Sequence, residues 1–230
     1  MRNGIPGPAH DFIMGLAATP DLAVIACAAR EGDDWAVLVN DSSVARSVGP
    51  PQVRVAPDGR VAATIVLADL RQAMFSNGVE HRSHDKVSEP VFSPDGSRLA
   101  YGVADGGLMA VVLDADQHRY YEAVTRPEFS PGSDRLAYAA RRAGRWCIVV
   151  DDEEGPWFEA IIESPALFGP DGRTVAYAAR HAGRTVLVVD GVVQEPEYDG
   201  IRQVVFDGPH RINFIALRND TLLAVTRTGF

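Results

Sequence analysis

Short apolar runs recur along this chain, each four or five residues long and each stopped by a polar turn residue. AVLV from Ala36, AMFS from Ala73, AVVL from Ala110, CIVV from Cys147 and VLVV from Val186 lead into Asn40, Asn77, Asp114, Asp151 and Asp190. A second kind of run precedes them, apolar and rich in small residues, as in LAYAA from Leu136 and VAYAA from Val175. Polar breaks such as Ala104 to Gly107 and Arg141 to Arg145 divide the two kinds. Both are too short for a stable helix, and their bounded apolar character predicts strands. Asn77-Gly78 and Asp190-Gly191 are strong hairpin signals.

The runs are in phase with a longer repeat. FSPDGSRLAY from Phe92 returns as FSPGSDRLAY from Phe129 and FGPDGRTVAY from Phe168, with a weaker copy, VAPDGRVAAT, from Val55. The anchors Val55, Phe92, Phe129, Phe168 and Phe206 are 37, 37, 39 and 38 residues apart. Prolines 20, 57, 94, 131, 170 and 209 mark six units that nearly fill the 230 residues. Pro-Asp-Gly suits a type I turn and its exit. Tyr101, Tyr138 and Tyr177 form a further column, nine residues after the anchor. Such a period means one supersecondary unit copied side by side.

Each unit offers four segments: one leading into the anchor, the two apolar runs, and a weaker polar one such as HRYYEAV from His118. A continuous apolar middle strand belongs to a sheet covered on both faces, and radial packing of such sheets is the β-propeller solution. A solenoid would need polar capping units, and neither end of the chain is visibly polar. The expectation is all-β: a six-bladed β-propeller with mostly four antiparallel strands per blade. It forms a single domain over 1–230, with blades near 11–49, 50–86, 87–123, 124–161, 162–200 and 201–230. The sixth unit ends soon after TLLAVT from Thr221, so either residues near Asn3 to Ile5 supply its outer strand or that blade has three strands.

FSPDGSRLAY and VVDGVVQEPEYDGI resemble the TolB-type, WD-repeat-like propeller repeats of bacterial proteins. The resemblance is strong in units three to five and weaker in one, two and six. It implies a propeller with a binding or scaffolding role and brings no defined catalytic residues.

Composition narrows the field. A formal charge of −9 argues against bulk attraction to nucleic acid or an anionic membrane. No stretch approaches the roughly 20 apolar residues of a membrane helix. The N-terminus shows no export signal, so the cytoplasm is expected, with the periplasm as the alternative that the resemblance suggests. Cys27 and Cys147 read as buried small hydrophobes. No cofactor and no metal are expected, and a monomer is.

Propeller geometry sorts the loops into two rims. On one, Arg30, Arg141 and Arg180 stand ten residues after the anchoring prolines, thickened by Arg142, Arg145 and Arg184 and by Arg126 and Arg202 from the crossovers. Guanidinium forks suit a carboxylate, a phosphate or an acidic peptide; the plainer alternative is solvated arginines paired locally with Glu31, Asp33, Asp34 or Asp220. Glu89, Arg126, Glu128, Arg202 and Gln203 start inner strands and could line a channel mouth. The opposite rim is acidic: its carboxylates mostly occupy tight hairpin turns, where Asp supports turn geometry, with calcium at Asp151 to Glu154 as the alternative. His81 and His84 would diverge on a fourth strand, at the surface. The tyrosine column reads as packing whose hydroxyls need internal partners. Trp157 and Tyr198 look exposed on outer strands. With no nucleophile elbow, P-loop or metal-ligand spacing, the expected function is non-catalytic binding of a protein or peptide partner. The rival is a metal-dependent hydrolase or lactonase-like enzyme using Glu89 and Glu128 at the channel mouth.

Overall fold

A computed structural model describes residues 9–230, apart from the side chains of 163–167. It is all-β, with no helix among the described residues, and every strand pairing is antiparallel. The chain divides into two compact units at His118/Arg119. The suggested strand at Asn3 to Ile5 lies outside the described residues.

The first unit holds three sheets. The first is β1 (Phe12–Ala18), β2 (Ile25–Glu31), β3 (Asp34–Val39) and β4 (Ser42–Ser47), paired in that order. The second repeats the plan with β5 (Gln52–Val55), β6 (Val61–Val66), β7 (Gln72–Ser76) and β8 (Val79–Glu80). In the third, β9 (Lys86–Val87) and β10 (Val91–Phe92) share the first position beside β11 (Leu99–Asp105), followed by β12 (Leu108–Leu113) and β13 (Asp116–Gln117).

The second unit also holds three. β14 (Ala123–Val124) and β15 (Glu128–Phe129) both pair with β16 (Leu136–Arg142), followed by β17 (Arg145–Val150) and β18 (Glu153–Glu154). The fifth sheet is β19 (Ala160–Phe168), β20 (Val175–His181), β21 (Arg184–Val189) and β22 (Val192–Tyr198). The sixth has three strands, β23 (Gly200–Phe206), β24 (Arg211–Arg218) and β25 (Thr221–Thr228).

The split first strands have a cause. Pro90 and Pro127 lack the N–H that a ladder needs. The hydroxyls of Ser88 and Thr125 take over as acceptors, receiving the backbone N–H of Gly102 (2.8 Å) and Ala139 (2.9 Å). The second strands carry the core. β11, β16 and β20 are buried over five consecutive residues, so both faces are covered. Their alanines let sheets stack closely, as where Ala137 and Ala139 meet Tyr177, Val186 and Val188 of the next sheet.

In four of the first five sheets, the side chain of the turn after the third strand pins the start of the second strand. Asn40, Asn77, Asp114, Asp151 and Asp190 all have positive φ, which Asn, Asp and Gly tolerate best. Asp114, Asp151 and Asp190 also reach back 15 residues to accept the backbone N–H of Leu99, Leu136 and Val175 at 2.8–2.9 Å. Arg98 and Arg135 close the arrangement on Asp114 and Asp151, each at 2.8 Å.

Three expectations are corrected. HRYYEAV is not one strand: β13 ends at Gln117, and Ala123–Val124 already belongs to the next sheet. The histidines are not on a fourth strand, because β8 ends at Glu80. His84 is 2% exposed and bonds Asp105 at 2.6 Å. His81 is half-buried, its Nε2 3.0 Å from Ser76 Oγ and its Nδ1 3.0 Å from Tyr101 Oη. Tyr198 is buried against Phe214 rather than exposed. The tyrosine column does pack inside, and burial pushes the Tyr101 phenol up to about 12.

Asp151→Ala removes the acceptor of the Leu136 N–H, the Arg135 partner and a residue suited to positive φ. We expect a loss of about 1–2 kcal/mol by denaturant melts, with Asp151→Asn losing less than half of that. Burial holds the His81 imidazole below its ordinary 6.5. The unfolded chain then binds the extra proton, so stability rises with pH up to about 6.5 and falls as pH drops below it. Thermal melts between pH 7.5 and 5 should show this fall, and His81→Gln should flatten it.

Candidate functional site

The arginines of the expected rim are placed differently from one another. In the first unit, Arg30 closes β2, its Nε donating to the Gly32 carbonyl at 2.9 Å and its Nη2 3.8 Å from Asp33. In the second unit, Arg141 lies 3.8 Å from Glu122. Arg142 is committed to structure: its guanidinium lies over the rings of Tyr121 and Trp157, 5.1 and 5.2 Å from their centroids, and bonds Glu154 at 2.5 Å. That stack leaves Trp157 half-buried instead of exposed. Arg145 donates to the Trp157 carbonyl, and Arg184 is joined to Asp199.

What lowers the basic character of these loops is a column of carboxylates not recognised in the sequence. Asp11, Asp85, Glu122, Glu159 and Asp199 sit just before the first strand of their sheets. Each accepts a backbone N–H from the hairpin turn between the second and third strands: Gly32, Gly106, Ala143, Gly183 and Asn219, at 2.7–3.3 Å. Asp85, Glu122 and Glu159 are 37 residues apart, so the signal was present at the repeat period. It was obscured because the flanking residues are variable. In the second sheet Val48 holds the place, and the turn uses its own Asp69, which accepts the Arg71 N–H at 3.0 Å.

Two of the expected residues do converge. Arg180, at the end of β20, and Arg202, in β23, line one pocket of about 350 Å³ between the fifth and sixth sheets. Its walls include Ile162, Ile201, Ile215, Leu217 and Leu222, with Thr185 and Asp199. Asp199 is already engaged by Arg184 and the Asn219 N–H. Arg202 enters the pocket because β23 bulges between Arg202 and Val205, where Gln203 takes φ 54°.

The crossover acids lie apart. Glu89, between β9 and β10, meets Arg54 of the second sheet at 2.6 Å, a companion the sequence did not reveal. Glu128 in β15 is half-buried; burial raises its carboxyl pKa and the Arg126 charge opposes that rise. The Asp151 to Glu154 turn does not gather on a common point, since Asp151 serves Leu136 and Arg135 while Glu154 serves Arg142 and Tyr121. Burial works against the Glu154 charge, but its hydrogen bonds to Arg142 and Tyr121 prevail and hold the carboxyl below its ordinary value. Among the described residues, no group of three or more His, Cys, Asp or Glu side chains is placed to hold a metal. Cys27 and Cys147 are free thiols, and burial pushes Cys147 up to about 12. Among the described residues, no helix is long and apolar enough to cross a membrane.

No protein-family model matches the chain, and no curated protein matches it. Solved structures do. It is similar to oligopeptidase B from Leishmania major (13% identity, 97% of this chain and 42% of that one, TM-score 0.50). It is also similar to TolB from Acinetobacter baumannii (19% identity, 81% and 55%, TM-score 0.41). A third is the β-propeller domain of the Trilobed protease from Pyrococcus furiosus (11% identity, 95% and 83%, TM-score 0.46). The chain thus spans about half the length of the TolB chain. At these identities the likeness is one of fold alone.

Proposed function

We propose that this chain is a non-catalytic binding scaffold that holds an anionic group of a protein or peptide in the pocket shared by Arg180 and Arg202. The scaffold is a six-bladed propeller in which the six sheets are the blades of a single domain over 1–230. Repetition of the same plan in six sheets supports it.

The single observation behind the binding reading is that Arg180 and Arg202 line one pocket with aliphatic walls. The apolar walls lower the local dielectric and strengthen a charge-assisted bond to a carboxylate or phosphate. Leu217 and Leu222 add apolar contact for the residue that carries the anion. Arg184, joined to Asp199, acts as a positioning residue that keeps this acid from competing for the arginines. Isoleucines with two arginines suit a peptide side chain or chain end better than a reaction centre, for which a nucleophile and a base would have to meet.

The test uses fluorescein-labelled acidic peptides and anisotropy. Peptides rich in Glu should bind with an affinity that falls steeply with salt. Arg180→Glu and Arg202→Glu should each weaken binding by about tenfold or more, or at least about 1.4 kcal/mol, with an unchanged melting temperature. Undiminished binding in both variants would remove this reading.

A further inference from the structure

A second pocket lies within the second unit, between the fourth and fifth sheets, with a volume of about 340 Å³. It exists because the repeat omits a side chain there. After the third-to-fourth hairpin of the second, third and fourth sheets, one residue donates its backbone N–H to the third strand: His81 to Met74 O (2.8 Å), His118 to Val111 O (2.8 Å) and Gly155 to Ile148 O (2.9 Å). These residues are 37 apart, so Gly155 stands where His81 and His118 stand.

His81 shows what the side chain does there. Its ring bridges Ser76 and the Tyr101 hydroxyl of the following sheet. The tyrosine that corresponds to Tyr101 beside Gly155 is Tyr177. It is 3% exposed, and its hydroxyl is buried with no hydrogen-bond partner among the described residues. A Cβ on Gly155 would lie 3.9 Å from that hydroxyl and 3.0 Å from the Ile148 carbonyl oxygen, so a side chain enters there only if the strand gives way. Leaving such a group unpaired is costly, so a ring that restores the bond is favoured.

The mouth of the pocket sets the charge of the occupant. Asp190 accepts the Val175 N–H through Oδ1. Its relatives Asp114 and Asp151 give Oδ2 to an arginine 16 residues earlier, but in the fifth sheet that position is Thr174. Glu153 adds a second carboxylate, and Arg173 a single cation. Arg135 is taken by Asp151 and the Arg173 carbonyl, and Glu154 by Arg142. The uncommitted lining therefore carries two negative charges against one positive.

We propose that this pocket binds an imidazole ring bearing a short cationic arm, the ring taking the place that His81 fills in the second sheet and pairing with the Tyr177 hydroxyl. The ammonium end then lies among Glu153 and Asp190 at the mouth. The ring can belong to a free imidazole amine or to a histidine near a basic residue of a partner, and both present the same group to Tyr177.

Ligand-observed saturation-transfer NMR and calorimetry on the full chain test this, with imidazole, histamine, imidazole acetate and the peptide Lys-His-Gly as probes. Histamine should bind more tightly than imidazole, and imidazole acetate least. Tyr177→Phe should weaken histamine about tenfold or more. Gly155→His should abolish its binding, since the tethered ring fills the cavity, with no rise in melting temperature, because its Cβ presses on the Ile148 carbonyl oxygen. Arg180→Glu should leave histamine binding intact, which separates this pocket from the arginine pocket. Binding of the peptide assigns the ring to a partner's side chain, and its exclusion assigns it to a small molecule. The proposal is overturned if imidazole and histamine show no saturation transfer at millimolar concentration. It is equally overturned if their affinity is the same in wild type and Tyr177→Phe, which would mean an adventitious additive only.

Discussion

The structure depends on second strands that are apolar on both faces. Leu136 to Ala140 in β16 and Val175 to Ala179 in β20 are buried without a break, so a single sheet of this kind always has a face left to cover. At about 25 cal/mol for each Å² of apolar surface removed from water, covering that face outweighs anything the short first and fourth strands contribute. Two-residue strands such as β9, β10 and β13 persist because they are fixed to a strand already held on both sides. The same constraint explains why the pattern changes in the sixth sheet. In β24 burial alternates residue by residue, the signature of a strand covered on one face only.

Close stacking leaves the hairpin ends to be held by other means. Side chains act there as surplus backbone acceptors: an Asn or Asp pins the start of the second strand at one end, and a carboxylate before the first strand pins the hairpin at the other. These bonds tie residues 15 or about 21 apart, which closes small loops with little entropic cost. The 39-residue spacing between Phe129 and Phe168 shows how an insertion is absorbed: Glu159 keeps the 37-residue interval from Glu122, and the two extra residues enter β19, where the register shifts between Ile162 and Leu167, so that Glu159 still receives the Gly183 N–H from 24 residues away.

Much of this was legible in the residues. Strand positions two and three, the Pro-Asp-Gly turns and the Asn/Asp turns emerged from local chemistry and a fixed period. The fourth strands did not, because a two-residue strand such as Glu153–Glu154 has no hydrophobic pattern to read. His84 was misplaced for a related reason: its burial depends on Asp105 in another sheet, a partner that no spacing within its own unit announces. For the candidate site, the sequence named Arg180 and Arg202 but could not separate them from Arg142. What separates them is tertiary. Arg142 is stacked between Tyr121 and Trp157 and bonded to Glu154, whereas Arg180 and Arg202 line one pocket, Arg202 beside the bulge at Gln203.

Repeats make departures from the pattern unusually informative, since each column supplies its own control. Some departures are repaired locally. Val48 replaces a carboxylate, and Asp69 within the affected turn takes over the acceptor's work. Others are not repaired. Gly155 removes an imidazole and Thr174 removes a guanidinium, and their absence leaves Tyr177 Oη and Asp190 Oδ2 without the partners that Tyr101 and Asp114 have. A fold under pressure only to be stable would tend to refill position 174, because an arginine there restores a bond seen elsewhere in the same molecule. Two unrepaired losses that open onto one cavity point to a use outside the folded chain's own contacts. The same logic ranks the arginines: Arg142, locked in its stack, maintains the sheets, whereas Arg180 and Arg202 line a pocket.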